Sequence, residues 1–284
     1  ALARASAQPL WDRYQRITRR QPTQRAQAQH WPWSTMAPLI ARAVAEVSME
    51  DAERRVLLMT DPELPAAATT GNLLGGLQTL MPGETAQAHR HTIAALRLVM
   101  SGEGATTTVN EELCPMAPGD LVLTPAWTWH RHHHAGTERM VWFDGLDLPL
   151  CAHLDTMFFE LDRDAPNPVL PAPTRAAPAH PLAVALAPDA VEGGSRYRYG
   201  AARARAALAA ATTTEDGSRW LRYVDGASGG PVLPSLDCYL LGLAPGRAST
   251  PRRSTAAHVC VVLDGEGRSR VGEGEGAREI AWRR

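Results

Sequence analysis

The sequence predicts an all-β protein with flanking helices, in which short strands form small antiparallel barrels. Apolar runs of strand length, such as IAALRLVM, are bounded by glycine and proline. His89 and His91 lie one residue apart, which directs both side chains to the same face of a strand. The sequence LMPG at Leu80–Gly83 recurs 163 positions later as LAPG at Leu243–Gly246, which indicates a second copy of the barrel.

Composition agrees with an enzyme that does not bind polyanions. The chain has 284 residues, 44% of them hydrophobic, and a formal net charge of -1, so we expect no nucleic-acid partner. We find no apolar run of membrane-spanning length. The four cysteines lack CxxC spacing and nothing resembles a secretory signal, so we expect no membrane association and a reduced cytoplasm.

Residues 1–65 are predicted to be a helical region. The segments LWDRYQRITRR and STMAPLIARAVAEVSMEDAERR have helical character and are separated by a loop rich in proline and glutamine. Ser34 is expected to cap the second helix. Arg54 and Arg55 are interpreted as charges on the surface of a helix, and the family resemblance described below offers a position near the site entrance as the alternative.

Residues 66–160 are predicted to be a barrel that binds a metal ion. The strand with His89 and His91 is followed by a glycine-rich turn, and the pair Gly119-Asp120 predicts a hairpin. The apolar strand LVLT and the sequence PAWTWH then lead to His130. We expect the three histidines to converge on one ion.

The spacing of these residues resembles the two halves of the cupin signature, Gly-x5-His-x-His-x10-Gly and Gly-x5-Pro-x4-His. Cupins are jelly-roll-like barrels, also described as double-stranded β-helices, with a metal on inward-facing side chains. Most carry a glutamate ligand where this chain has Ala95. The remaining three-histidine site is a neutral variant of the two-histidine, one-carboxylate iron site, and it leaves three positions open.

The strings GGLQTLMPGE, AHRHT, GDLVLTPAWTWHRH and WFDGLDLPL resemble the gentisate 1,2-dioxygenase family, together with the salicylate and 1-hydroxy-2-naphthoate dioxygenases. These are bicupin enzymes. The resemblance implies Fe(II) as cofactor and ring cleavage between the carbons that carry the carboxylate and a hydroxyl. Both atoms of O2 enter a hydroxylated aromatic acid, most simply gentisate, to give maleylpyruvate. It also implies a homo-oligomer, a tetramer in the family.

The resemblance further implies roles for five residues of the barrel. Arg97 would hold the substrate carboxylate; its even spacing from the two histidines puts it on the interior face, where an unpaired arginine is costly. Gln78 would donate a hydrogen bond to substrate or oxygen. His132 would act as an acid or base beside the metal, and Asp144 would orient His132 or a substrate hydroxyl. Leu74 stands where the family carries an aromatic residue against the substrate ring.

Three of these residues have a simpler interpretation. Arg97 could extend outwards from the barrel, Gln78 could be an exposed strand amide, and Asp144 could cap an Asp-Gly turn. His133 and His134 are interpreted as solvated turn residues.

Residues 161–234 are predicted to be a Pro/Ala-rich connector. The stretch APNPVLPAPTRAAPAHP suggests an extended segment and ARARAALAAA a short helix. Residues 235–284 are predicted to be a partial C-terminal repeat without metal ligands, because Arg252 and Ser254 replace the histidine pair. His258 is interpreted as a packed barrel residue.

The second barrel is therefore expected to be incomplete. A trimmed chain, strands supplied by a partner subunit, and a shortened relic would each explain this, and we favour the first. Two functional alternatives stay open beside ring cleavage by a dioxygenase. One is a non-catalytic or regulatory bicupin that binds a metal, and the other is a cupin isomerase or hydrolase with a different metal.

Overall fold

The computed structural model describes residues 2–20, 23, 25–64, 67–161, 183–189 and 194–284. Its helices are α1 Tyr14–Ile17, α2 Trp33–Glu46, α3 Met49–Ala52, α4 Leu148–His153 and α5 Ala201–Ala210, with short 3-10 turns at Ala3–Ala5 and Gly274–Gly276. Its strands are β1 Arg55–Met59, β2 Leu74–Leu80, β3 Thr85–His91, β4 Ala95–Ser101, β5 Ala105–Val109, β6 Glu112–Met116, β7 Leu121–Thr124, β8 His130–His134, β9 Met140–Leu146, β10 Phe159–Glu160, β11 Val184–Leu186, β12 Arg198–Tyr199, β13 Ser218–Tyr223, β14 Cys238–Leu243, β15 Glu266–Val271 and β16 Arg278–Arg283.

Two sheets face each other in the first barrel. One has the order β1-β2-β9-β4-β7-β12 and the other the order β10-β3-β8-β5-β6. From β2 to β10 the chain crosses from one sheet to the other at every step except that from β5 to β6. This crossing pattern is typical of a jelly roll, and it confirms the predicted fold class.

Period-two alternation sorts the side chains of these strands between two sides. On the inner side, Leu80, Val99 and Trp142 belong to one buried cluster. On the outer side, Met36 and Ile40 of α2 pack against Leu77 and its neighbours in a second cluster. Helix α2 therefore covers the outside of the first sheet and leaves the barrel interior free for polar residues.

Two local predictions are wrong. Gly119, with a φ of 87°, does form a turn, but the turn is not a hairpin, because β6 pairs with β5 and β7 pairs with β4 and β12. The chain crosses between sheets at this turn. Ser34 does not cap α2: the helix begins at Trp33 after Pro32, and Ser34 is inside its first turn.

The barrel also recruits strands from outside residues 66–160. Strand β1, within the region predicted as helical, pairs with β2 from Arg55↔Thr79 to Met59↔Gly75. Strand β12, within the predicted connector, pairs with β7. The predicted short helix is present as α5, whereas the proline-rich stretch 165–181 lies outside the described residues.

The strands of the second repeat, within the part of the chain that the structure describes, belong to two small sheets, one of which also takes β11 and β13 from the predicted connector. Strand β14 pairs with β13, which pairs in turn with β11, and β15 pairs with β16. The prediction that His258 packs inside a barrel is wrong, because its side chain is exposed on a segment without regular structure. The neighbouring Val259 and Val261 instead pack against the outer cluster of the first barrel.

No helix among the described residues has the length and apolar character that a membrane span requires.

Candidate metal centre

Two neighbouring strands bring the three predicted histidines together. His89 and His91 lie on β3, and His130 on β8 is the direct partner of His89 across the pair. All three are buried, and one nitrogen from each lies within 4.8 Å of the others. His89 and His91 are two residues apart on β3 and so share a face, and the antiparallel register adds His130 beside them. Three imidazoles therefore lie together on one patch of the barrel interior.

The hydrogen bonds of the rings leave the Nε2 atoms for a ligand. Each Nδ1 lies near a backbone carbonyl oxygen: 3.1 Å from Gln87 for His89, 2.7 Å from Ile93 for His91 and 2.9 Å from Thr128 for His130.

A ring that donates from Nδ1 keeps a lone pair at Nε2, which is the tautomer that binds a metal. The Nε2 atom of His130 is buried without a protein partner. The site therefore fits a metal ion that accepts three imidazole ligands.

Burial keeps these imidazoles neutral at physiological pH. It lowers the pKa of His89 to about 2 and the pKa of His91 to about 4, and positive charge on nearby arginines adds to both shifts. The pKa of His130 is lowered well below its usual value for the same first reason. Neutral nitrogen is the form that coordinates metal.

A buried arginine and a buried carboxylate lie on the facing sheet. Arg97 on β4 pairs in register with Asp144 on β9, and its Nε lies 3.2 Å from Asp144 Oδ1. The angle does not meet hydrogen-bond geometry, so the contact is an ion pair, and the firm hydrogen bond of Arg97 is to Thr124 Oγ1 at 2.8 Å. Burial raises the pKa of Asp144 to about 6, although Arg97 opposes the rise.

The protein contacts of Asp144 do not include His132, one of the two groups that it is expected to orient. Asp144 accepts a hydrogen bond from Trp142 Nε1 at 3.1 Å and pairs with Arg97. His132 instead bonds through Nδ1 to Thr107 Oγ1 at 2.8 Å.

Arg54 is a site residue that the sequence interpretation missed. Its Nη2 donates to the Gln87 carbonyl oxygen at 3.1 Å, the same oxygen that accepts from His89 Nδ1. Both nitrogens are donors in the tautomer that binds a metal, so their separation of 2.5 Å is a close contact and not a hydrogen bond. Burial and the charge of Arg97 lower its pKa. The segment AERR was interpreted as helix, but α3 ends at Ala52, and Glu53 with a φ of 52° turns the chain so that Arg54 faces the cluster.

The remaining predicted site residues line the same interior. Leu74 and Gln78 on β2 and His132 on β8 are all buried. Gln78 Nε2 and His132 Nε2 have no hydrogen-bond partner within the protein. Buried polar atoms are normally satisfied, so these two nitrogens identify a place for a polar ligand.

Both histidines after His132 lie in a strand and not in the predicted turn, and the predicted exposure to solvent is confirmed for His133 alone. Strand β8 continues to His134, so His133 points outwards to Thr85. The prediction that His134 is exposed to solvent is wrong, because its side chain is fully buried and its Nε2 contacts the Glu138 carbonyl oxygen.

Comparison with known proteins agrees with this site. Residues 76–147, which hold all three histidines, match the cupin domain family. A gentisate 1,2-dioxygenase from Ralstonia sp is 35% identical over 93% of this chain and 76% of its own length. A 1-hydroxy-2-naphthoate dioxygenase from Nocardioides sp. (strain KP7) is 32% identical, covering 84% of this chain and 63% of its own.

Solved structures agree as well. A salicylate 1,2-dioxygenase from Pseudoaminobacter salicylatoxidans, solved as adducts with gentisate, has a TM-score of 0.74 and 26% sequence identity. The match covers 99% of this chain and 81% of that one. Because the chain has the buried histidine cluster and is similar to these relatives over most of its length, it belongs to the gentisate 1,2-dioxygenase family of ring-cleaving cupin oxidoreductases.

Proposed function

We propose that this protein is an Fe(II)-dependent dioxygenase that converts gentisate to maleylpyruvate. One observation carries the proposal: the buried Arg97 and the half-buried Arg54 lie near three neutral histidines, and a single buried carboxylate, Asp144, interacts with both arginines. A dipositive metal adds further positive charge to this interior. The site therefore favours an anionic ligand, and an aromatic hydroxy acid supplies a carboxylate together with a hydroxyl that ionises.

His89, His91 and His130 would hold the iron through Nε2. Three neutral nitrogens suit iron, although such ligands also bind other divalent ions. When bound, Fe(II) supplies the redox chemistry that lets O2 react with an aromatic ring.

Arg97 would bind the substrate carboxylate. A guanidinium matches a carboxylate in shape and charge. Arg97 contacts Thr124 through Nη1 and Asp144 through Nε, and neither contact uses Nη2. Asp144 is then a positioning residue, because it contacts the arginine and Trp142 and so fixes the direction of the guanidinium.

His132 would take the proton of the substrate hydroxyl. Burial lowers its pKa well below the usual value, so the ring is neutral before substrate binds. A bound substrate anion would oppose this shift and raise the affinity of the ring for a proton. This role requires the tautomer in which His132 donates from Nδ1 to Thr107 and keeps the Nε2 lone pair. Gln78, with its Nε2 unpartnered, would donate a hydrogen bond to a substrate or oxygen atom.

Leu74 supports a second substrate candidate. It is buried on β2, on the same side of the strand as Gln78, and an aliphatic side chain there leaves room beside the substrate ring. Salicylate, substituted salicylates and 1-hydroxy-2-naphthoate are therefore alternative substrates of the same reaction.

Oxygen consumption tests the proposal. The full chain is loaded with Fe(II) without oxygen, and gentisate, salicylate or 1-hydroxy-2-naphthoate is then added with O2. We expect uptake and the absorbance of a ring-opened product with at least gentisate. Full iron occupancy without uptake on any of the three acids would exclude a dioxygenase and favour a bicupin that only binds metal.

We also propose a cytoplasmic homo-oligomer. All four cysteines are free thiols, as expected in a reducing compartment. Trp11 and Tyr14 near the N-terminus are 79% and 56% exposed, which favours contact with a second copy. Analytical ultracentrifugation that found only a stable monomer would contradict the oligomer.

A further inference from the structure

An aromatic ring lies flat against two of the three clustered imidazoles. Phe159 on β10 pairs with His91 on β3, so both side chains point to the same side of the sheet. Its ring centroid is 4.9 Å from that of His89 and 6.0 Å from that of His91, with interplanar angles of 23° and 27°.

We propose that Phe159 is a positioning residue for the metal site. Its ring fixes the planes of His89 and His91 in the orientation that makes their Nε2 atoms converge with His130, and it shields that side of the cluster from water. The inference rests on the proposed function, in which these histidines hold the metal.

Contacts on the opposite face hold β10 in place. Arg90, between the two histidines in sequence, points away from them and donates from Nε to Glu160 Oε2 at 2.5 Å. Its guanidinium carbon lies 4.3 Å from the ring centroid of Trp127 and 4.8 Å from that of Trp129. Because Glu160 follows Phe159 directly, these contacts of Arg90 hold in place the strand that carries the phenyl ring.

The ring contact has a physical consequence for metal binding. Each imidazole is held by one Nδ1 bond to a carbonyl oxygen, which still permits the ring to tilt about that bond. A flat neighbour removes this freedom and an apolar one removes competing water. Outer groups that orient metal-bound histidines typically contribute about 10- to 100-fold to metal affinity.

Phe159 is suited to a clean test because its side chain is 49% exposed. Removing it should therefore leave the fold intact. Phe158 provides a matched control: it is 56% exposed and packs on Trp127, with ring centroids 4.6 Å apart, and not on the histidines.

Co(II) titration of the metal-free full chain, followed by visible absorbance, measures both affinity and ligand geometry. We expect Phe159→Ala to raise the Kd for Co(II) about tenfold or more and to alter the Co(II) bands. Phe159→Leu should give a smaller loss, and Phe158→Ala should stay close to the unsubstituted protein. Thermal melting of each metal-free variant verifies the fold.

Two results would overturn the inference and leave the metal site standing. One is a Phe159→Ala protein whose affinity for Co(II) and visible spectrum are unchanged. The other is an equal loss of Co(II) affinity in Phe158→Ala, which would mean that the position of β10 matters and the ring of Phe159 does not. An unsubstituted protein that bound no Co(II) would instead overturn the proposed metal site, and the inference with it.

Discussion

At the residue scale, the site is a balance of buried charges. Arg97 and Asp144 are both buried, and each makes the burial of the other tolerable, because a lone charge in a protein interior is costly. The ion pair is also a functional element, since it presents a guanidinium towards three neutral imidazoles. Arginine and lysine are not equivalent in such a place.

His130 is predicted to be indispensable for the metal. We expect His130→Ala to lower Fe(II) affinity by more than about 100-fold, since losing a ligand should exceed the loss typical of an outer group. Binding measured by iron content after dialysis checks this, with the exposed His133→Ala as control. A His130→Ala protein that kept both iron and activity would refute the ligand assignment.

Arg97→Lys is predicted to impair substrate binding and not metal binding. The substitution keeps a charge but loses the fork, and hydrogen bonds to charged groups contribute about 1.5–3 kcal/mol. We therefore expect kcat/KM for gentisate to fall about 10- to 100-fold. Steady-state kinetics at full iron occupancy measure this, and an unchanged kcat/KM would remove Arg97 from substrate binding.

Leu74→Phe is predicted to shift substrate preference towards single-ring acids. An added ring face is worth about 0.5–1.5 kcal/mol in an aromatic pair, while the larger side chain narrows the space for a second ring. We expect the ratio of kcat/KM for gentisate over 1-hydroxy-2-naphthoate to rise severalfold. A constant ratio would mean that Leu74 does not contact the substrate.

The sequence identified His89, His91 and His130 because their positions follow from strand parity and spacing. It did not identify Arg54. That residue reaches His89 only because Glu53 adopts a positive φ and β1 begins directly afterwards. No pattern in AERR distinguishes this from one more turn of helix, so the contact depends on tertiary structure.

At the element scale, strand β8, which carries His130, depends on the closely packed turn that follows it. His130, His132 and His134 alternate with exposed neighbours along β8, and Gly136 follows at once. A Cβ at Gly136 would lie 2.1 Å from the Glu103 carbonyl oxygen and 2.7 Å from His134 Cε1. Backbone atoms cannot give way as a flexible side chain can.

Gly136→Ala is accordingly predicted to destabilise the barrel. We expect a loss of about 1–3 kcal/mol in the free energy of unfolding, as for other overpacked positions. Urea denaturation of the metal-free protein measures it. Gly71→Ala is the control, because nothing lies within 4 Å of its Cβ position; equal stability of the two variants would contradict the packing argument.

The parity of β8 was available in the sequence, yet His134 was assigned to a turn. HRHHH contains no apolar residue, so hydrophobic alternation gave no signal that the strand continues. The crossing at Gly119 was missed for a related reason. Turn residues predict a change of direction, but which strands then pair is decided by long-range packing.

At the scale of the whole molecule, the sequence repeat is visible in the strand pattern. Strand β14 ends at Leu243, which lies 163 positions after the last residue of β2, Leu80. Strand β13 pairs with β14 as β1 pairs with β2. The repeat predicts the counterpart of β2 alone, since β1 lies in the region predicted as helical and β13 in the predicted connector. The packing of Val259 and Val261 against the first barrel is likewise not predictable from periodicity.

Buried neutral histidines are predicted to make the metal-free protein acid-sensitive. The folded pKa values of His89, His91, His130 and His132 lie below the ordinary value of 6.5. The unfolded chain therefore binds more protons as pH falls below 6.5, and stability is lost. Each such group contributes up to about 1.4 kcal/mol per pH unit.

Asp144 acts in the opposite direction but does not reverse the trend. Its pKa is raised from 3.8 to about 6, so between these values the folded state holds the extra proton and gains stability as pH falls. With four groups against one, the free energy of unfolding should fall between pH ~6.5 and ~4.5, and His132→Gln should reduce that slope. A flat profile by urea denaturation would contradict the burial of neutral imidazoles.

The central claim is that the histidine cluster supports insertion of both oxygen atoms of O2 into an aromatic hydroxy acid. The most direct measurement is mass spectrometry of the product formed by the iron-loaded protein from gentisate under oxygen-18 gas. We predict a ring-opened product that carries two oxygen-18 atoms. If the product is trapped before its ketone oxygen exchanges with water, a single labelled atom or no label at all would contradict a dioxygenase mechanism at this site.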